Sequence, residues 1–227
     1  MGILARFLST ALLGGASGAA GFAFWTRNSK FAHVSSSDPL FSSPAYLKNN
    51  PNKNPATHDI CVRRVPLSDI KPQLLEKESE GKLVEAFCAG VWGGLGYAYQ
   101  RRYLANKYQN TTTTAYQLWT RPELQSSTYA VGTQITDHFE VVSKTPSSIV
   151  VRCGDSPLKT EIRDSDGLFE MGVELKKDEG VAEFRLKSLL YKGLGKSDSK
   201  PMPEHIDFLH RLYAKLWMET AIGNVTR

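Results

Sequence analysis

Few side chains in this 227-residue chain have the types and spacing that chemistry requires, and the most prominent are Asp137-His138 with Glu140 two positions on. An imidazole titrates near neutrality, and a carboxylate that orients it makes a general base. Read as one strand, this segment turns neighbours to opposite faces, so Asp137 does not brace His138. His138 and Glu140 share a face, and the plainer reading is a solvated polar surface. Arg152-Cys153-Gly154-Asp155 places a thiol and a carboxylate at a strand end. No histidine lies near it in sequence to activate the thiol. Tyr97 completes the acid–base candidates, with His138 and Asp155. His205 and His210 stand five apart on a helical segment, off the i, i+4 spacing of a helical metal pair. No metal site is expected and no cofactor motif is found. Cys61, Cys88 and Cys153 are odd in number and far apart, which fits buried small hydrophobes and not a disulfide framework or a zinc site.

The elements that must position these groups follow from periodicity. Phe169, Met171, Val173 and Leu175 alternate with Glu170, Glu174 and Lys176, and after Lys177-Asp178-Glu179-Gly180 the alternation resumes as Ala182, Phe184 and Leu186. Two period-two segments joined by a polar turn ending in Gly predict a β-hairpin with one apolar face. From Glu204 to Ile222 the residues Ile206, Leu209, Tyr213, Leu216, Trp217 and Thr220 fall on one helical stripe that would cover it. Further strands are read at Ile60–Val65, at Ile135, Phe139 and Val141, at Ile149–Cys153 and over Lys159–Arg163. Leu67–Pro72 reads as a turn or short helix. Lys82–Tyr108 reads as two helices broken at Gly90, Gly93, Gly94 and Gly96, since each glycine costs a helix interior roughly 1 kcal/mol relative to Ala. The stretch Trp92-Gly93-Gly94-Leu95-Gly96-Tyr97 is a bend; it lacks the lysine and the strand–loop–helix setting of a phosphate loop. The fold class predicted is α+β, a curved antiparallel sheet wrapped around a long C-terminal helix, with an N-terminal hydrophobic helix.

Composition is that of a globular chain, with 41% hydrophobic and 22% charged residues and a net charge of +5. The densest basic groups, Arg63-Arg64, Arg101-Arg102 and Lys176-Lys177, are not interleaved with aromatics, so no nucleic-acid partner is expected. Phe7–Trp25 carries no charge, and no acidic residue occurs before Asp38. Its length meets the requirement for a membrane span. Residues 1–31 therefore read as a single-pass membrane anchor or a targeting segment, of the secretory pathway or the mitochondrial inner membrane. The Ser-, Asn- and Pro-rich residues 32–59 read as a linker, with a packed arm as the alternative because of Leu40, Phe41, Tyr46 and Leu47. Asn110-Thr111-Thr112 and Asn224-Val225-Thr226 are glycosylation sequons, so Asn110 and Asn224 would be acceptors in a lumenal protein.

A strand, two helices, about five strands and a final long helix, over residues 60 to 222, is an order that resembles the START-like superfamily, also called the polyketide cyclase or helix-grip fold. The phrases LVEAFCAGVWGGLGYAYQRRYL and DHFEVVSKTPSSIVVRCGDSP are also similar to proteins of filamentous fungi. The resemblance implies a ligand-binding domain over residues 60–227, with a cavity between sheet and last helix for a lipid, sterol, hormone or polyketide. Trp92, Tyr97, Trp119, Phe169, Met171, Phe184, Tyr213 and Trp217 are the expected lining, with Trp92 and Tyr97 at the mouth. The function expected is a membrane-tethered carrier of a hydrophobic small molecule. The alternatives are a polyketide cyclase- or dehydratase-like enzyme of secondary metabolism, or a mitochondrial protein of structural or interaction role.

Overall fold

The hairpin that the alternation predicts is the centre of the sheet. Strands β6 (Ser165–Lys176) and β7 (Val181–Lys192) pair antiparallel, with Phe169 opposite Ser188, Met171 opposite Leu186 and Val173 opposite Phe184. Gly180 closes the turn at a φ of 67°, in the left-handed region where a side chain would be strained. The computed structural model describes residues 18–227. Around the hairpin stand β1 (Lys30–Ala32), β2 (Ala56–Pro66), β3 (Gln134–Ile135), β4 (Phe139–Lys144) and β5 (Ser148–Cys153), in the order β1-β2-β7-β6-β5-β4-β3. All neighbours are antiparallel. The fold is α+β, a seven-stranded sheet with a long C-terminal helix.

The helices are α1 (residues 18–25), α2 (Pro44–Asn49), α3 (Pro72–Glu76), α4 (Lys82–Gly93), α5 (Leu95–Tyr108), α6 (Arg121–Ser126) and α7 (Glu204–Val225). The inner face of the sheet is covered by α4 and α7 together, not by α7 alone. Leu83, Val84, Phe87, Cys88, Val91 and Trp92 of α4 are all buried, and the Phe87 ring lies 5.0 Å from that of Phe184. On α7 the buried stripe is Ala214, Trp217, Met218, Ala221, Ile222 and Val225. Ile206 and Leu209, expected on that stripe, are 41% and 56% exposed. Both lie in the first turns of α7, ahead of Tyr213, whose hydroxyl donates to Gln100 Oε1 of α5 at 2.9 Å; in those turns it is His210, not Ile206 or Leu209, that reaches the sheet, at Ser188.

The glycine-rich bend is real and tightly filled. Gly94 ends α4 in an extended conformation. A Cβ on Gly90 would lie 2.7 Å from the Ala221 Cα, and one on Gly96 would lie 2.9 Å from the Thr220 Oγ1. These glycines let α4 and α5 approach the α7 backbone.

Three other expectations are corrected. The strand read through Ile135–Val141 is interrupted, because Thr136 and Asp137 adopt left-handed conformations and turn the chain between β3 and β4. Lys159–Arg163 is loop. Residues 32–59, read as a linker, fold onto the outer face of the sheet and supply the start of β2. That outer face carries Leu168, Leu189 and Tyr191, which need cover, and Leu40 with the flanking Phe41 and Tyr46 provides it. Asn54 fastens the arm by donating from Nδ2 to the carbonyls of Lys192 and Gly195 at 2.7 and 2.8 Å. In the uncharged Phe7–Trp25 stretch, residues 7–17 lie outside the described residues. Among the described residues no helix is long and apolar enough to cross a membrane.

Candidate functional site

Of the three acid–base candidates, Tyr97 and Asp155 are held in polar contacts within the fold. The Tyr97 hydroxyl is buried and hydrogen-bonded to Thr136 Oγ1, and burial pushes its phenol well above the usual range. That bond anchors the left-handed turn, which Gln117 also holds by accepting from the Asp137 N–H at 2.6 Å. His138 follows the turn, its ring 5.1 Å from that of Tyr108. Asp155 sits half-exposed on the β5–β6 loop, 2.7 Å from Lys159. Partial burial would raise its carboxyl, but the Lys159 ammonium and the Ser156 N–H outweigh that and hold it low. Ser156 Oγ donates to Asp137 at 2.6 Å, tying loop to turn. The network is a staple at one end of the sheet; His138 stands outside it, its Nδ1 buried without a hydrogen-bond partner among the described residues. Burial, with the Asp59 carboxylate second, pushes the Cys61 thiol up to about 12; Cys88 and Cys153 are raised by burial as well. None of the thiols is an activated nucleophile.

The expected aromatic lining divides in two. Trp92, Tyr97, Phe139 and Trp217 interlock, with ring centroids 4.5 to 5.9 Å apart. Trp92 and Tyr97 are fully buried, so they form a floor and not a mouth. Trp119 is buried beside α6, its indole donating to the Thr114 carbonyl at 2.8 Å. Met171 and Phe184 belong to the core under α4. Phe169, Tyr213 and Trp217 do line a cavity, of about 200 Å³, together with Gln100, Phe139, Leu186, Ser188, His210 and Ala214. It lies where α7 leaves the sheet.

This cavity has apolar walls and a polar end. Asp59 of β2 is paired with Ser188 of β7, so both side chains point to the inner face. His210 of α7 reaches them: its Nε2 is 3.0 Å from Ser188 Oγ and 3.2 Å from Asp59 Oδ2, while Ser188 Oγ donates to Asp59 Oδ1 at 3.3 Å. The imidazole lies nearly parallel to the Phe169 ring, at 9° and 6.2 Å. Serine and carboxylate share one ring nitrogen. A Ser-His-Asp hydrolase needs them on different nitrogens, so that the base can take the serine proton. This set is therefore not an acyl-transfer triad. Nε2 carries the proton, facing two oxygens, and Nδ1 is the nitrogen with no hydrogen bond among the described residues. On the other wall the Trp217 indole N–H is buried without a hydrogen-bond partner. It is near enough to the Tyr213 oxygen to oppose the rise that burial causes in that phenol.

A larger groove of about 310 Å³ lies between the arm and the outer face, lined by Leu40, Ala45, Val142, Val150 and Glu170. Its carboxylate is already occupied by Lys187 at 2.9 Å and Ser148 at 3.1 Å. The inner cavity is the better candidate, because its polar groups retain free valences.

Sequence reasoning missed Asp59, Ser188 and Gln100 and considered His210 only as a metal ligand. The available signal was a polar residue at an inner-face position: Ser188 breaks the Ala182, Phe184, Leu186 series two residues on. Of the two sequons, Asn110 is exposed, whereas Asn224 is half-buried in α7 and donates its amide to the Ala86 carbonyl at 2.7 Å. Comparison of the chain with protein-family models, with curated proteins and with solved structures finds no match.

Proposed function

We propose that this protein binds a small, largely apolar molecule between β6, β7 and α7, with the N-terminal segment serving as a membrane tether. The observation that carries the reading is the cavity itself: Phe139, Phe169 and Trp217 wall a partly open cavity of about 200 Å³ at the edge of the buried core. Close-packed cores leave few voids larger than a water molecule. A pocket for a drug-sized ligand spans roughly 300–1,000 Å³, so this one suits a single aromatic ring or a short branched chain, smaller than the sterol or polyketide the resemblance implies. The arrangement of an antiparallel sheet gripping a long helix supports a START-like reading. The tether is supported by the uncharged stretch that ends at Phe24 and Trp25, both exposed.

Titrating the full-length protein with indole, naphthol and short-chain alcohols, and following tryptophan fluorescence, tests the reading. Saturable quenching is expected for the wild type, and its loss is expected in Ala214→Leu, which fills the gap. Absence of saturable binding by every member of the panel would sink it.

A further inference from the structure

We infer that His210, oriented by Asp59 and Ser188, is a general base acting on a carbon acid held in the cavity, an inference that rests on the binding reading above. The chemical class is a small apolar β,γ-unsaturated carbonyl compound undergoing proton-transfer isomerisation to its conjugated α,β isomer.

Asp59 is the first observation. Its side chain is only 2% exposed, and among the described residues no Lys or Arg pairs with it; its ion-pair partner there is His210. Oδ2 makes no hydrogen bond of good geometry. A buried carboxylate is costly unless paired and hydrogen-bonded, and an apolar side chain opposite Ser188 would serve packing better. What the carboxylate does accomplish runs through Ser188: Oδ1 takes the serine proton at 3.3 Å, so Ser188 Oγ accepts from the His210 Nε2–H at 3.0 Å and Nδ1 keeps the lone pair. An imidazole oriented in this way is the arrangement of a general base.

The second observation is a donor across the cavity. Gln100 Oε1 is occupied by the Tyr213 hydroxyl, which leaves its amide N–H₂ without a protein acceptor among the described residues. Gln100 lines the cavity with His210. A carbonyl oxygen placed against this amide would be polarised, and a negative charge developing on it would be stabilised. The step balances without a co-reactant. Nδ1 forms a bond to the proton on the carbon next to the carbonyl, the C–H electron pair moves to make the enolate, and the Gln100 amide N–H₂ holds the oxygen. Return of the proton from Nδ1 to a different carbon of the same conjugated system gives the isomer and restores the imidazole.

The test uses 5-nitrobenzisoxazole, a small aromatic carbon acid that reports a base in an apolar site. His210 Nδ1 would take the ring C–H proton, the electron pair would become part of a nitrile, and the N–O bond would break to release a coloured phenolate. With full-length protein the expected rate exceeds that of free imidazole at equal concentration by about 10²-fold. His210→Gln and His210→Phe, the latter keeping the stack on Phe169, should both return to background while the probe still quenches tryptophan fluorescence. Asp59 is a positioning residue, so Asp59→Asn should lower kcat at least about tenfold with KM unchanged, because the amide no longer selects the tautomer. Circular dichroism confirms that each variant is folded. A probe that binds and does not react faster, or a rate unaffected in both His210 variants, would overturn the base and leave the binding reading standing. Failure of this probe and of the whole aromatic panel to bind would overturn both.

Discussion

The two halves of α7 face the same sheet with opposite results. From Ala214 to Val225 the helix is sealed against α4 and α5, because Gly90 and Gly96 let backbones meet at distances that a side chain would prevent. From Glu204 to Tyr213 it has no such seat, and at the transition between the halves a cavity opens beside the edge-to-face rings of Phe169 and Trp217, 5.8 Å apart. One helix therefore supplies both the firmest packing and the least complete packing of the interior. Closure here is decided by which residues are absent, namely the side chains at the bend, more than by which apolar residues are present.

The contrast predicts unequal responses. The largest is expected at the sealed end: Trp92→Ala should cost about 3–5 kcal/mol. In a chain of this size that lowers Tm by roughly 10 °C or more, measurable by thermal scanning. If Trp217→Ala cost as much, the two ends would be equally filled and the cavity reading would fail; about 2 kcal/mol is expected, because one side of the indole faces empty space. Gly90→Ala should cost about 1–3 kcal/mol by overpacking, since its methyl would meet the backbone and side chain of α7. A neutral result in urea unfolding would show that the helices separate easily. Smaller again per group is the alkaline response. Burial raises the phenols of Tyr97, Tyr129 and Tyr191, so they stay protonated in the folded chain while unfolded tyrosines ionise near pH 10. That stability is intact below about pH 10 and falls as pH rises above it, by up to about 1.4 kcal/mol per unit for each. The tyrosinate absorbance of these three buried groups should therefore appear together with unfolding, not before it. The smallest effect belongs to Ala214→Leu at the incomplete end, within about 1 kcal/mol of wild type, since the added atoms enter existing space.

The pattern of legibility has a physical basis. The β6–β7 hairpin, the α4–α5 break and the span of α7 were all readable, because alternation, glycine clustering and helical period are local signals. Which face of α7 was buried was not, since that depends on where α4 and α5 end against it. The arm was misread because Pro, Asn and Ser serve in caps and turns as readily as in linkers: Asp38 and Ser43 cap the short helical turns and Asn54 bridges to Gly195. The candidate chemistry at His138, Asp155 and Tyr97 was sought among neighbours in sequence, whereas Asp59, Ser188 and His210 meet across 129 and 22 positions of separation. No local pattern encodes that meeting; strand register does.

The arm has a further consequence, for association between molecules. A sheet ends in rows of unpaired N–H and C=O groups, which invite pairing with another chain. Here the two outermost strands are among the shortest, β1 with three residues and β3 with two. The eleven residues of β2 stand one position in from the edge because residues 30–32 cover its middle. Removing the chain ahead of residue 60 would take away β1, four of the eleven residue pairs between β2 and β7, and the cover over Leu168, Leu189 and Tyr191. The product would present a long bare strand beside an uncovered apolar face, the two ingredients of edge-to-edge aggregation. A fragment designed on the composition boundary should therefore precipitate where one beginning at residue 26 remains dispersed, and light scattering of the two would tell them apart.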